Sequence, residues 1–141
     1  MKLKKILVPV DGSESAGRAL EYAIELVKLV GDAEVLLVHC HKPFPRLLGE
    51  PYLQEAINRI QEDADRIIDP CREVLGKAGV GFKERVLEGA PWEKITEAAD
   101  IEACDMIIMG SRGCTDFQGL FLGSVTHRVL HTTPCPVLVI R

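Results

Sequence analysis

The sequence predicts a three-layer, doubly wound α/β fold, in which a five-stranded parallel sheet is covered by helices on both faces. Three observations carry that prediction. Short, continuous apolar runs such as "KKILVPV", "AEVLLVHC", "CDMIIMG" and "PCPVLVIR" read as strands buried on both sides. Segments of helical periodicity lie between them. Gly, Pro and Ser punctuate the junctions. Strands separated by helical crossovers pair in parallel, with the crossovers packed on both faces.

The first strand is expected over 4–10. "DGSES" follows, a turn cluster with Ser13 and Ser15 as candidate N-caps. Ala16, Leu20, Ala23, Ile24, Val27 and Val30 then recur at helical spacing, and Gly31 closes the helix. The second strand is expected over 33–40, and "HKPFPRLLGEP" as a surface connection. In the next, long helix, Leu53, Ala56, Ile57, Ile60, Ala64, Ile67, Ile68, Cys71 and Val74 share one face. Pro70 removes a backbone donor within it and predicts a kink, while Gly76 and Gly79 end it. "FKERVLEG" (82–89) is less apolar and alternates, as a strand near a sheet edge does. Pro91 suits the first position of a helix through Trp92, Ile95, Ala98 and Ala99. The fourth strand is expected over 104–110, a short helix from Gly123 to His131, and the last strand over 134–141. All of this reads as a single domain, 1–141.

Composition removes several classes of function. A formal net charge of -4 argues against nucleic acid, whose binding needs a basic face. No apolar run reaches the roughly 18 residues of a membrane span. The N-terminal apolar stretch "ILVPV" falls short of the roughly 7–15 residues of a secretory leader, so a cytoplasmic protein is expected. Five cysteines at wide spacings without a CxxC support neither a disulfide framework nor a zinc ribbon. His39, Cys40 and His41 are adjacent, but alternate side chains of a strand point to opposite faces, so no metal is assigned to them.

Chemistry concentrates in "GSRGCTDFQGLFLGS" (110–124). In an open parallel sheet, ligands sit beyond the C-terminal strand ends, where the winding reverses. If the first and fourth strands are neighbours there, "VPVDGS" and "MGSRG" flank the pocket. Gly110 and Gly113 let backbone N–H groups approach an anion closely. Gly123 and Ser124 open the next helix, whose first N–H groups and positive dipole end favour phosphate. The hydroxyls of Ser111, Ser124 and Thr126 add candidate hydrogen bonds. The P-loop pattern is absent, and no GxGxxG follows the first strand. Asp11 stands alone where a response regulator needs clustered acids, and Glu88-Gly89 supplies no acceptor aspartate.

Gly110-x2-Gly113-x9-Gly123-Ser124, together with "ILVPVDGS", "EVLLVH", "GAPWEKI", "CDMIIMGSRG" and "GSVTHRVLHTTPCPVLVIR", resembles the ATP-binding branch of the universal stress protein family along the full chain. The resemblance implies an adenine nucleotide alpha hydrolase-like fold with strand order 3-2-1-4-5. It implies that Pro9, Val10 and Asp11 contact adenine and ribose, and that His39 or its neighbour Val38 lines the base pocket. It further implies that Met109, Gly110, Arg112, Gly113, Gly123, Ser124, Val125 and Thr126 wrap ribose and phosphates. The implied ligand is ATP, or AMP or ADP, with Mg2+ as a possible companion. Asp11 suits the sugar hydroxyls or the adenine amino group as an acceptor, and capping the first helix is its alternative role.

Two departures from the family pattern matter. The spacer "CTDFQGLFL" carries Asp116 and no Lys or Arg, leaving Arg112 as the main nearby cation with His127 or Arg128 as candidate helpers. AMP and ADP are therefore expected to compete well with the triphosphate. Ala90 stands where related sequences usually have Asp, which predicts a weaker helix cap.

Nothing in the sequence resembles an activated nucleophile, so a binding module is favoured over a slow ATPase, although Asp116 and His127 are conceivable bases. Cys114 beside Arg112 reads as a tolerated loop thiol. "VDGSES" is a poor match to the SGGxDS-type loop of adenylating enzymes. A flavoprotein-like AMP or FAD module and a nucleotide-free dimeric scaffold are the further alternatives. In the implied strand order the apolar "PVLVI" lies at a sheet edge, which invites pairing with another chain. The resemblance implies a homodimer through this strand, with Val137 and Val139 at the contact. It also implies a regulatory role in stress response toward an unidentified downstream protein.

Overall fold

The computed structural model describes residues 2–44, 47–112 and 122–141. Their elements are β1 (Lys5–Pro9), α1 (Glu14–Val30), β2 (Glu34–His41), α2 (Tyr52–Ala78), β3 (Phe82–Glu88), α3 (Pro91–Ile101), β4 (Met106–Gly110), α4 (Ser124–Thr132) and β5 (Val137–Ile140). The strands pair in parallel in the order β3-β2-β1-β4-β5. Element sequence and strand order are those the sequence led us to expect, with β1 and β4 adjacent at the centre.

Strand alternation divides the core in two. Ile6, Val8, Val35 and Leu37 face α1 and α2, where Leu20, Ile24, Ile68 and Leu75 meet them. Leu7, Leu36, Val38, Ile107 and Met109 face the opposite way, onto Ile95, Ala99 and Val129 of α3 and α4. Each fully buried side chain of this size contributes roughly 1.5–3 kcal/mol of transfer free energy. This two-sided burial explains why the central strands are apolar without interruption.

Helix α1 starts at Ser13, whose Oγ accepts from the Ala16 N–H at 3.3 Å. It ends at Gly31 with φ 88°, a left-handed cap that glycine adopts without steric cost. In α2 the expected face is corrected at two places. Ile57 and Val74 are exposed, and Leu75 is fully buried instead. Ala64, Ile68, Cys71 and Leu75 follow the 3.6-residue repeat, which Val74 leaves by one position. At 27 residues α2 is about 40 Å long, longer than any strand it covers. Its fully buried residues, Ala64, Ile68 and Leu75, run from its middle toward its C-terminal end. The helix continues through Pro70 and past Gly76, and Gly79 caps it.

At the edge strand β3, Arg72 of α2 grips Glu84 through both carboxylate oxygens, with Nε donating at 2.8 Å, and also pairs with Asp69. The hydrogen bond from Arg72 holds the Glu84 carboxyl below its ordinary range. At the N-terminal end of the sheet, Asp105 Oδ2 accepts from the main-chain N–H groups of Lys4 at 2.8 Å and Lys5 at 2.9 Å. Those two bonds lower the Asp105 carboxyl's pKa. The clamp ties β1 to the chain entering β4. No helix among the described residues is long and apolar enough to cross a membrane.

Candidate functional site

At the opposite, C-terminal end of the sheet, β1 and β4 hand the chain to α1 and α4, which cover opposite faces. A cleft of about 330 Å³ opens there, within the size range of small-molecule sites. Pro9, Val10 and Asp11 line it from β1, and Val38 and His39 from β2. Met109, Gly110 and Arg112 line it from β4, and Ser124, Val125 and Thr126 from α4. The structure thus brings nearly all the sequence-predicted site residues onto one concave surface. Gly123 stands behind that surface as the buried N-cap of α4. Gly113, Cys114 and Asp116 lie outside the described residues.

Hydrogen bonds fix the walls. Val10 N–H donates to Val38 O at 2.9 Å and continues the β1–β2 ladder one residue beyond β1. The next rung would bring Cys40 N–H to Val10 O, and the ring of His39 already donates to that carbonyl through Nδ1 at 2.9 Å. A carbonyl only accepts, so Nδ1 carries the proton of this bond. On the β4 side, Thr126 Oγ1 donates to Gly110 O at 2.8 Å and Ser15 Oγ to Arg112 O at 2.5 Å. Gly123 N–H donates to Ser111 O at 2.6 Å, and Ser111 N–H to Ile140 O at 2.7 Å. The chain therefore leaves at Arg112 and returns at Leu122 against a fixed stem.

Several sequence-based expectations change here. Gly110 lacks a side chain because α1 needs the space: a Cβ there would lie 2.3 Å from Ser15 Oγ and 2.7 Å from the Ser15 carbonyl carbon. Ser111 is buried and does not line the cleft. Thr126 does line it, but its hydroxyl proton is committed to Gly110 O. Neither candidate helper cation reaches the cleft wall. Arg128 stacks on the Trp92 ring, 4.9 Å from its centroid, and His127 packs edge-on against His131. Asp11 does not cap α1 directly; its Oδ1 accepts from Ser13 N–H at 2.9 Å and holds the residue that does.

Five lining residues were not assigned to the site from the sequence: Ser13 and Ala16 of the α1 start, Cys40, and Pro91 and Ile95 of α3. The end of "EVLLVHC" and the Pro91 start of α3 were the available signals, since both had to fall on this rim. Burial pushes the Cys40 thiol up to about 11, with nearby Lys94 acting in the opposite sense. A thiol whose pKa is raised in this way is a poor nucleophile at physiological pH.

The cleft combines an apolar floor of Val38, Ile95 and Met109 with polar groups on one side. Asp11 is the acid and Arg112 the cation among its described lining residues. Helix α4 points its first turn at the cleft, and its N-cap Gly123 supplies no side-chain cap. Ala90, the N-cap of α3, supplies none either, as its identity predicted. Such a surface suits a flat apolar ring joined to an anion.

A family model described as the universal stress protein family matches residues 2–141. A universal stress protein of Thermus aquaticus is 40% identical over 139 residues, covering 98% of both chains. Universal stress protein MJ0577 of Methanocaldococcus jannaschii is 34% identical, and its solved structure superposes with a TM-score of 0.87 over 99% of this chain and 96% of that one. The universal stress protein of Archaeoglobus fulgidus, solved in complex with dAMP, is 26% identical with a TM-score of 0.65 over the full length of both chains.

Proposed function

The chain belongs to the universal stress protein family, and from that premise we propose that its rim cleft binds an adenine nucleotide and that the protein acts as a nucleotide-responsive regulatory module. The observation that carries this reading is the α4 start: a first turn whose N-cap has no side chain, aimed into a cleft with an apolar floor. In this reading the base lies between β1 and the end of β2, against Pro9, Val10, Val38, His39 and the main chain of Cys40. Asp11 accepts from the ribose. Arg112 and the N–H groups of Val125 and Thr126 hold phosphate. The complex of the Archaeoglobus fulgidus relative with dAMP supports an adenine nucleotide.

With Arg112 as the lining cation among the described residues, the cleft carries little charge against a triphosphate. AMP and ADP then bind nearly as well as ATP unless Mg2+ accompanies it. Mass spectrometry of ligand released from purified, denatured protein, followed by calorimetry with AMP, ADP and ATP with and without Mg2+, tests both points. Failure of all three nucleotides to bind rejects the cleft assignment, and ATP much tighter than AMP without Mg2+ rejects the charge argument. No activated nucleophile stands among the described lining residues, which favours binding over turnover.

We also propose that the whole of 1–141 acts as one domain and pairs with a second copy through β5. Val137 to Ile140 are half-buried, and β5 pairs only with β4 among the described strands. Val139→Lys is then expected to give monomers in light scattering.

A further inference from the structure

Away from the cleft, α4 carries a feature that nucleotide binding does not use. His127 and His131 lie one helical turn apart, both exposed, with ring centroids 4.6 Å apart and planes at 70°. Residues at i and i+4 share a helix face. Arg128, the charged neighbour of His127 in sequence, is turned onto Trp92, so its charge is directed away from the pair. His131 stands in the last turn of α4, where the partial negative charge of the helix end favours a cation. The other histidines differ. The ring of His39 is buried and bonded to Val10 O, and that of His41 is bonded to Lys42 O.

We propose that His127 and His131 together chelate one divalent transition-metal ion. Paired imidazoles at this spacing on one helix face are the arrangement that binds zinc in helical two-histidine motifs. Nitrogen donors select late first-row ions, Ni2+, Cu2+ and Zn2+, over oxygen-seeking Mg2+ and Ca2+. Two protein ligands leave the remaining coordination positions to water, so the site exchanges its ion readily.

The test uses the full chain and Ni2+ alone as the probe. Calorimetry of the wild type, His127→Gln, His131→Gln and the His41→Gln control should show one ion per chain in the wild type and the control. Two ligands on one scaffold act as a linked pair, so losing either should weaken binding by about tenfold or more, and the double variant should be no worse than the singles. Glutamine is a good helix former, and circular dichroism checks that α4 persists. Bound Ni2+ should also raise the melting temperature of the wild type and leave that of both single variants unmoved. A smaller loss in either single variant, or thiolate-to-nickel absorption accompanying the binding, overturns the proposal.

Discussion

At the N-terminal end of the sheet, a carboxylate of the chain fills the main-chain donors of Lys4 and Lys5; at the C-terminal end, the first turn of α4 lines a cleft. Asp105 takes the N–H groups of Lys4 and Lys5, and the result is a closed seam between β1 and β4. On the cleft side, α1 satisfies part of its first turn through Ser13, but α4 begins at Gly123, which has no side chain to offer. In the reading proposed above, main-chain donors serve stability at one end and recognition at the other. What separates the two ends among the described residues is that Asp105 bonds the donors of Lys4 and Lys5, whereas the N-cap of α4 makes no side-chain cap bond.

The largest effect should come from breaking the packing that creates the open end. Gly110→Ala places a Cβ 2.3 Å from Ser15 Oγ, 2.7 Å from the Ser15 carbonyl carbon and 2.9 Å from Ala16 N. The hydroxyl can rotate away, but the helix backbone cannot move by one atom alone. Overpacking against a rigid element costs about 3 kcal/mol, which a shift in the urea midpoint would reveal. A loss below about 1 kcal/mol would mean that α1 is free to slide, and that the bare backbone at Gly110 serves another purpose.

The closed end gives the next effect, with a definite dependence on pH. Asp105→Ala removes an ionised acceptor from two backbone donors and should cost about 2 kcal/mol at neutral pH. The folded-state pKa of Asp105 is lowered by those bonds. Its stabilisation is therefore complete above the unfolded carboxyl pKa of about 3.9, and it is lost as pH falls through the folded value. Glu84, also lowered, is present in both proteins and cancels in the difference. The stability gap between wild type and variant should close on acidification; a gap unchanged down to acid pH would show that Asp105 acts by shape and not by charge.

These contrasts also explain what could be read from the sequence. The order of elements and the Ser13 and Gly31 ends of α1 were legible because periodicity and capping are local. The meeting of β1, β4 and α4 residues at one rim followed from crossover topology, and the place of Val38 and His39 there from the family resemblance alone. The reason for the bare backbone at Gly110 was not legible, because its crowding partners, Ser15 and Ala16, lie far away in sequence. The Asp105 clamp was invisible for the same reason, joining residues 101 and 100 positions apart. Arg128 and His127 stood near the right motif, but their directions depend on Trp92 of α3 and on the helical phase of α4. Val74 was chosen over Leu75 because the apolar pattern of α2 tolerates both, and the fit of the helix against the sheet decides between them.

The sharpest comparison makes the open end resemble the closed one. Gly123 has φ -68° and ψ 161°, an extended conformation that residues with side chains also adopt, so Gly123→Asp introduces no left-handed strain. An aspartate at an N-cap bonds the N–H groups of the following turn, and glycine there is only a few tenths of a kcal/mol worse. Stability should therefore change little. The added carboxylate would occupy the donors proposed to hold phosphate and would repel it, so affinity for AMP should fall at least about tenfold, roughly 1.4 kcal/mol. Its melting temperature gives the control, since a collapse would mean that buried Gly123 has no room for a side chain. A variant that melts like the wild type and binds AMP equally well would place the phosphate away from α4, and the two ends of the sheet would no longer differ in the way described.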